Sequence, residues 1–94
     1  MAGDTVNEAQ VRQEIRNLVA DLTGREPDEI TDTASFVKDL GVDSIMAIEM
    51  LVSLDRAYNI EMPEKEFHRA RNVEEAAMLV MRCSGGRAQA GSGA

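Results

Sequence analysis

Leu40-Gly41-Val42-Asp43-Ser44-Ile45 closes a long connection and opens a helix. Gly41 is free to adopt the positive φ that a tight turn requires. Asp43 is a good N-cap: its carboxylate accepts from amides that lack an intrahelical partner, and its charge complements the helix dipole. The serine that follows is delivered onto the first turn of a helix running from about Ser44 to Tyr58. A hydroxyl exposed there suits covalent modification by a phosphate-containing group better than catalysis, because an anion is favoured at a helix N-terminus.

Helices are expected on both sides of this stretch. Upstream, Thr5-Val6-Asn7-Glu8 matches a capping box, and Val11, Ile15, Leu18, Val19 and Leu22 recur at helical spacing until Gly24 and Pro27 end the run. Residues 24–42 form a long loop that carries its own anchors, Ile30, Phe36 and Leu40, with Ser35 starting a short turn of helix. Downstream, Asn59 stops the central helix and Pro63 begins a short third one reaching about His68. Asn72-Val73-Glu74-Glu75 then caps a fourth, whose inner face is Val73, Ala76, Ala77 and Val80. Met50, Met78 and Met81 read as core filling, and Phe36 and Tyr58 as core anchors, with Phe67 the one other aromatic. No strand alternation interrupts the pattern. The expected fold is all-α: a small four-helix bundle of three main helices and a short third, with a long first loop.

A chain of 94 residues holds one domain and no second core. The expected folded unit is residues 1–83, followed by a flexible tail over 84–94 rich in Gly, Ser and Ala. One cysteine, Cys83, and one histidine, His68, make neither an internal disulfide nor a zinc site. The acids lack the spacing of a calcium loop, so no metal is expected. A lone thiol suits a reducing compartment, and neither a membrane span nor a signal peptide is written in the chain, so the expected location is cytoplasmic.

Charge is unevenly placed. Residues 26–66 carry eleven carboxylates against Lys38, Arg56 and Lys65, a balance of −8, whereas residues 1–25 carry −1 and residues 67–94 carry +2. All of the excess acidity therefore surrounds the serine and the helix after it. Such a field repels nucleic acid and anionic membrane and favours partners with basic docking surfaces.

The central helix has more apolar surface than a core face needs. At 100° per residue, Ala47, Met50, Leu51, Leu54 and Tyr58 share one side. Ile45, Ile48 and Val52 fall on the other, among Glu49, Asp55 and Arg56, with Met46 at the boundary. Exposure is expected for Ile45 and Val52, while Ile48 reads equally as exposed or as packed under the loop or the third helix. Apolar residues rimmed by acids look like a recognition surface.

From Val11 to Val80 the chain resembles the acyl carrier proteins of fatty acid and polyketide biosynthesis. The resemblance rests on Ala34-Ser35-Phe36 with Leu40-Gly41, then Asp43-Ser44-Ile45 and Glu49, Ile60 with Met62-Pro63, and the closing Val73/Ala76 helix. It implies a carrier and not an enzyme. Ser44 would receive 4′-phosphopantetheine from coenzyme A through a separate Mg²⁺-dependent phosphopantetheinyl transferase, and the arm's thiol would hold acyl intermediates as thioesters. The implied partners are that transferase, a ketosynthase, an acyltransferase and other synthase enzymes, with the carrier itself a monomer that binds neither nucleic acid nor membrane.

Position by position, Asp43 and Glu49 match acidic recognition residues of the family, and Asp55 a further one. Ile45, Ile48 and Val52 occupy places that contact partner enzymes. Leu51 and Met62 are expected at the acyl-sheltering cleft. Met46 stands where many fatty acid carriers have an acid, and Arg56 stands where an acid is also common. Both changes thin the negative charge of the recognition face and lean toward a polyketide carrier, as does arginine outnumbering lysine, eight to two. The alternatives are a fatty acid carrier and a peptidyl or aminoacyl carrier, although peptidyl carriers usually have glycine where Asp43 sits. A serine hydrolase built on Ser44 and His68 lacks both the Gly-x-Ser-x-Gly turn and room for a deep pocket.

Overall fold

The computed structural model describes residues 7–93, with side chains through Ser84. Helix α1 spans Glu8–Thr23 and is capped by Asn7, whose Oδ1 accepts from the amides of Ala9 at 2.8 Å and Gln10 at 3.4 Å. Thr5 of the expected capping box lies outside the described residues, and the capping function falls to Asn7. The helix stops at Gly24, left-handed at φ 73°, where glycine avoids the Cβ clash that other residues meet.

The long connection is stitched down along its length. A 3₁₀ turn at Pro27–Glu29, absent from the sequence expectation, is started by proline and closed by Glu29 Oε1 accepting from the Glu26 amide at 3.0 Å. At Ser35 the expected turn of helix is a single closed turn. Its carbonyl accepts from the amides of Asp39 at 3.0 Å and Leu40 at 3.1 Å, and its hydroxyl accepts from that of Lys38 at 3.0 Å. The Ser35 amide donates to Asp39 Oδ2 at 2.8 Å, which closes the ring and stops propagation. Ile30, Phe36 and Leu40 are buried, as their anchoring role requires.

Helix α2 is Ser44–Tyr58 and ends at Asn59, which takes the left-handed conformation at φ 54° that asparagine tolerates. Helix α3 is Glu64–Arg69, one residue later than expected, with Pro63 preceding the helix instead of opening it. Helix α4 is Val73–Gly93, with Asn72 Oδ1 accepting from the Glu75 amide at 2.9 Å. It runs past Ser84, where composition points to a tail. No proline interrupts those residues, and an established helix propagates at about one hydrogen bond per residue despite the glycines.

The core sits between α1, α2 and α4. Val11, Ile15 and Val19 meet Met50 and Leu54 together with Val73, Ala76, Ala77 and Val80. Met50 fills the core as expected and Met81 packs partly against it, but Met78 is exposed. Among the described residues no helix is long and apolar enough to cross a membrane.

One polar cluster ties the connection to α1. Asp32 accepts from Arg12 Nη1 at 2.7 Å and from Arg16 Nη1, and its carbonyl accepts from the Glu74 amide at 3.1 Å. Burial pushes the Asp32 carboxyl up, but the Arg12 and Arg16 hydrogen bonds outweigh it and the net shift is downward. Its stabilisation is therefore full above the ordinary carboxylate range and is lost as pH falls through the depressed folded value. Asp32→Ala is expected to cost about 1–3 kcal/mol at neutral pH, less in high salt. Urea unfolding should show that gap narrowing as pH falls below the ordinary carboxylate range; a gap that persists undiminished in acid would mean the residue acts through packing.

Candidate functional site

Ser44 is the first residue of α2 and is exposed. Asp43 Oδ1 accepts from the Met46 amide at 2.9 Å, and the Asp43 carbonyl accepts from that of Ala47 at 2.9 Å. Among the described residues the amides of Ser44 and Ile45 donate to no protein group, so two helix-end donors stand open beside the hydroxyl. No described side chain hydrogen-bonds Ser44 Oγ. His68, half exposed, has its Nε2 3.5 Å from Glu64 Oε2. Among the described residues no base is hydrogen-bonded to the hydroxyl, although His68 lines the same cavity.

A cavity of ≈ 250 Å³ opens beside Ser44, between the end of the connection, α2 and α3. Its walls are apolar, from Phe36, Val37, Val42, Ala47, Met50, Phe67 and Ala70, with Asp43, Ser44 and His68 as the polar lining. Leu51 and Met62 are buried in the core and do not line this cavity. Met62 is held at the far end of α2, its amide donating to Asp55 Oδ1 at 3.0 Å, about 16 Å along the axis from Ser44.

The outer face of α2 divides. Ile45 is 67% exposed, and Ile48 and Val52 are also open, which settles the two readings of Ile48 in favour of exposure. Glu49 and Arg56 stand exposed beside them. Met46 is half-buried against the core. Asp55 departs from its expected place on the recognition face: it is half-buried, and one carboxylate oxygen fastens the α2–α3 connection.

Residues 13–80 match the family described as "Phosphopantetheine attachment site". The chain belongs to the acyl carrier protein family. It is 38% identical over 68 residues to an acyl carrier protein of Brachyspira hyodysenteriae, covering 71% of this chain and 87% of that one. An acyl carrier protein of Akkermansia muciniphila is 25% identical over 80 residues, 85% of this chain and all of the other. In fold it is similar to the HMG-ACPI domain from the CurA module of Lyngbya majuscula, solved by NMR. The TM-score is 0.71 at 22% identity, over 86% of this chain and 82% of that one.

Membership brings covalently held 4′-phosphopantetheine as the cofactor and a role that is not itself catalytic. The residues beside Ser44 fit such a group: open amides for a phosphodiester, and a largely apolar cavity for an apolar chain. Sequence reasoning missed most of the cavity. Met50 carried the signal of core periodicity and nothing more, Phe67 sits in a helix too short to show a period, and Val37 lies in a turn where no period applies.

Proposed function

We propose that Ser44 Oγ is the attachment atom and that the protein presents acyl thioesters of polyketide assembly to partner synthase enzymes or domains. The observation that carries the attachment is exposure. Of the three serines within residues 13–80, Ser35 and Ser53 are half-buried, and Ser44 alone is exposed. In the attachment step Ser44 Oγ bonds to the pantetheine-side phosphorus of coenzyme A. The phosphorus–oxygen bond to the nucleotide half breaks, adenosine 3′,5′-bisphosphate leaves, and the serine proton passes to a base of the transferase.

Once attached, the arm supplies a terminal thiol for thioester chemistry. The chain's own residues do the rest. The open amides of Ser44 and Ile45 and the α2 dipole offset the phosphodiester charge beside Asp43. The cavity of Phe36, Val42, Met50 and Phe67 offers apolar cover for cargo. Ile45, Ile48 and Val52, rimmed by Glu49, offer partners an apolar seam with an acidic edge.

The pathway reading rests on charge. Met46 contributes none, Arg56 contributes the wrong sign for a basic partner, and Asp55 is occupied in the fold. A fatty acid synthase enzyme tuned to a dense acidic helix should therefore accept this carrier poorly. Met46→Glu with Arg56→Glu is expected to raise turnover with a fatty-acid-type ketosynthase about 5–10-fold, mostly through faster association that high salt abolishes. Steady-state kinetics on the arm-bearing protein decide it. A wild-type carrier already faster with the fatty-acid-type enzyme than with a polyketide-type one would overturn the pathway reading.

A further inference from the structure

Granting the assignment of Ser44, we propose that Val37 is a docking anchor for the phosphopantetheinyl transferase, used in the modification step and not by the enzymes that later act on the cargo. Val37 is 70% exposed and Ile45 67%, the two most open large apolar side chains among the described residues. Both adjoin the attachment residue: Val37 shares the cavity wall with Ser44, and Ile45 follows Ser44 in α2. One exposed apolar side chain is ordinary on a protein surface. Two beside a modified hydroxyl, one on the cavity wall and one at the next helix position, form a rim.

Val37 is also held in place. Its neighbour Phe36 is buried, and the Phe36 amide donates to the Arg71 carbonyl at 2.8 Å. The Val42 amide returns to the Phe36 carbonyl at 2.7 Å, closing the turn from behind. The bonds onto Ser35 described above brace its other side. A partner that covers Val37 gains apolar burial without ordering a loop, which is the condition under which a small contact is felt in affinity.

Reach selects the partner. The transferase must bring the reacting phosphorus into bonding distance of Ser44 Oγ, so its surface has to close over the rim. A synthase enzyme works at the thiol end of the arm, so it can use Ile45 as part of the α2 seam without closing over Ser44 Oγ and Val37. Val52, eight residues beyond Ser44 and about 12 Å along α2, lies well clear of the rim. Charge agrees with this choice. Coenzyme A is strongly anionic, a surface that holds it is basic, and Asp39 and Asp43 stand exposed near Val37 and Ser44 within a segment of net charge −8, which outweighs the exposed Lys38 beside Val37.

The test pairs two assays on one set of variants. A purified transferase with coenzyme A and Mg²⁺ modifies wild type, Val37→Ser, Val37→Thr and Val37→Ile, followed by intact mass. The fully modified proteins are then loaded by an acyltransferase. Val37→Ser should lower kcat/KM for modification about tenfold, chiefly through KM, the size set by losing one buried valine contact. Val37→Thr should fall in the same direction, and Val37→Ile should restore the wild-type value. Loading of the modified Val37→Ser protein with an acetyl group, too short to need apolar cover from the cavity wall that Val37 shares, should stay within about twofold of wild type.

Modification of Val37→Ser at the wild-type rate overturns the inference. Equal losses in both assays overturn it too, because Val37 would then serve docking in general. Failure of the Ser44 reading looks different: wild type takes up no mass, or Ser44→Ala takes it up.

Discussion

Ser44→Ala is expected to fold like the wild type and to take up no phosphopantetheine. The fold survives because the hydroxyl supports nothing: it is exposed, it has no described hydrogen bond, and the α2 cap is held by Asp43. Alanine is the better helix former at this position, so stability should move by no more than about 0.5 kcal/mol. Uptake is lost completely because the transfer needs an oxygen that reaches out of the surface at the end of α2. Ser35 spends its hydroxyl on the Lys38 amide, and Ser53 lies half-buried within the helix. Intact mass after exposure to coenzyme A, Mg²⁺ and a transferase reads the effect, and circular dichroism checks the fold. Residual uptake by a folded Ser44→Ala protein would place the attachment elsewhere.

Leu54→Ala should be the most damaging single change for stability. Leu54 is wholly removed from solvent on the inner face of α2, in the cluster that joins α1 and α4. Truncation leaves a cavity that a tightly packed small core cannot fill, costing about 3–5 kcal/mol. A domain of this size holds only about 4–12 kcal/mol in all. The midpoint of thermal unfolding should therefore drop by roughly 15–30 °C. Ile48→Ala removes a side chain of the same size from the opposite face of the same helix, and should change stability by less than about 1 kcal/mol. Similar losses in the two variants would contradict the assignment of faces, and with it the recognition seam.

The helices were legible because each carries its own local signals. Asp43 and Asn59 bracket α2 from the side chains alone, and Gly24 and Gly41 sit where the backbone needs positive φ. The apolar surplus on α2 was also readable, since Ile45 and Val52 fall opposite Leu54 by simple rotation. What periodicity could not supply was anything fixed by chain reversal. Asp55 lies on the outer arc of the helical wheel, yet the connection after Asn59 folds back and brings the Met62 amide onto its carboxylate. Leu51 and Met62 read as cleft residues, but the cavity opens at the other end of α2, where the turn at Phe36 and Val37 comes in from outside the helix. Asp32 lies 20 residues from Arg12 and 16 from Arg16 in sequence, so their joint role in pinning the loop appears only in three dimensions. The 3₁₀ turn at Pro27 had its signal in the proline and flanking acids, overlooked because the segment has no apolar repeat.

The central claim, that Ser44 carries the arm, is tested most directly by site-resolved mass spectrometry of the modified protein. Trypsin cleavage after Lys38 and Arg56 releases residues 39–56, a peptide that holds both Ser44 and Ser53. Fragmentation should place the whole phosphopantetheine mass on Ser44, with Ser53 unmodified. The added mass on Ser53, on any residue outside this peptide, or nowhere in the chain would contradict the account.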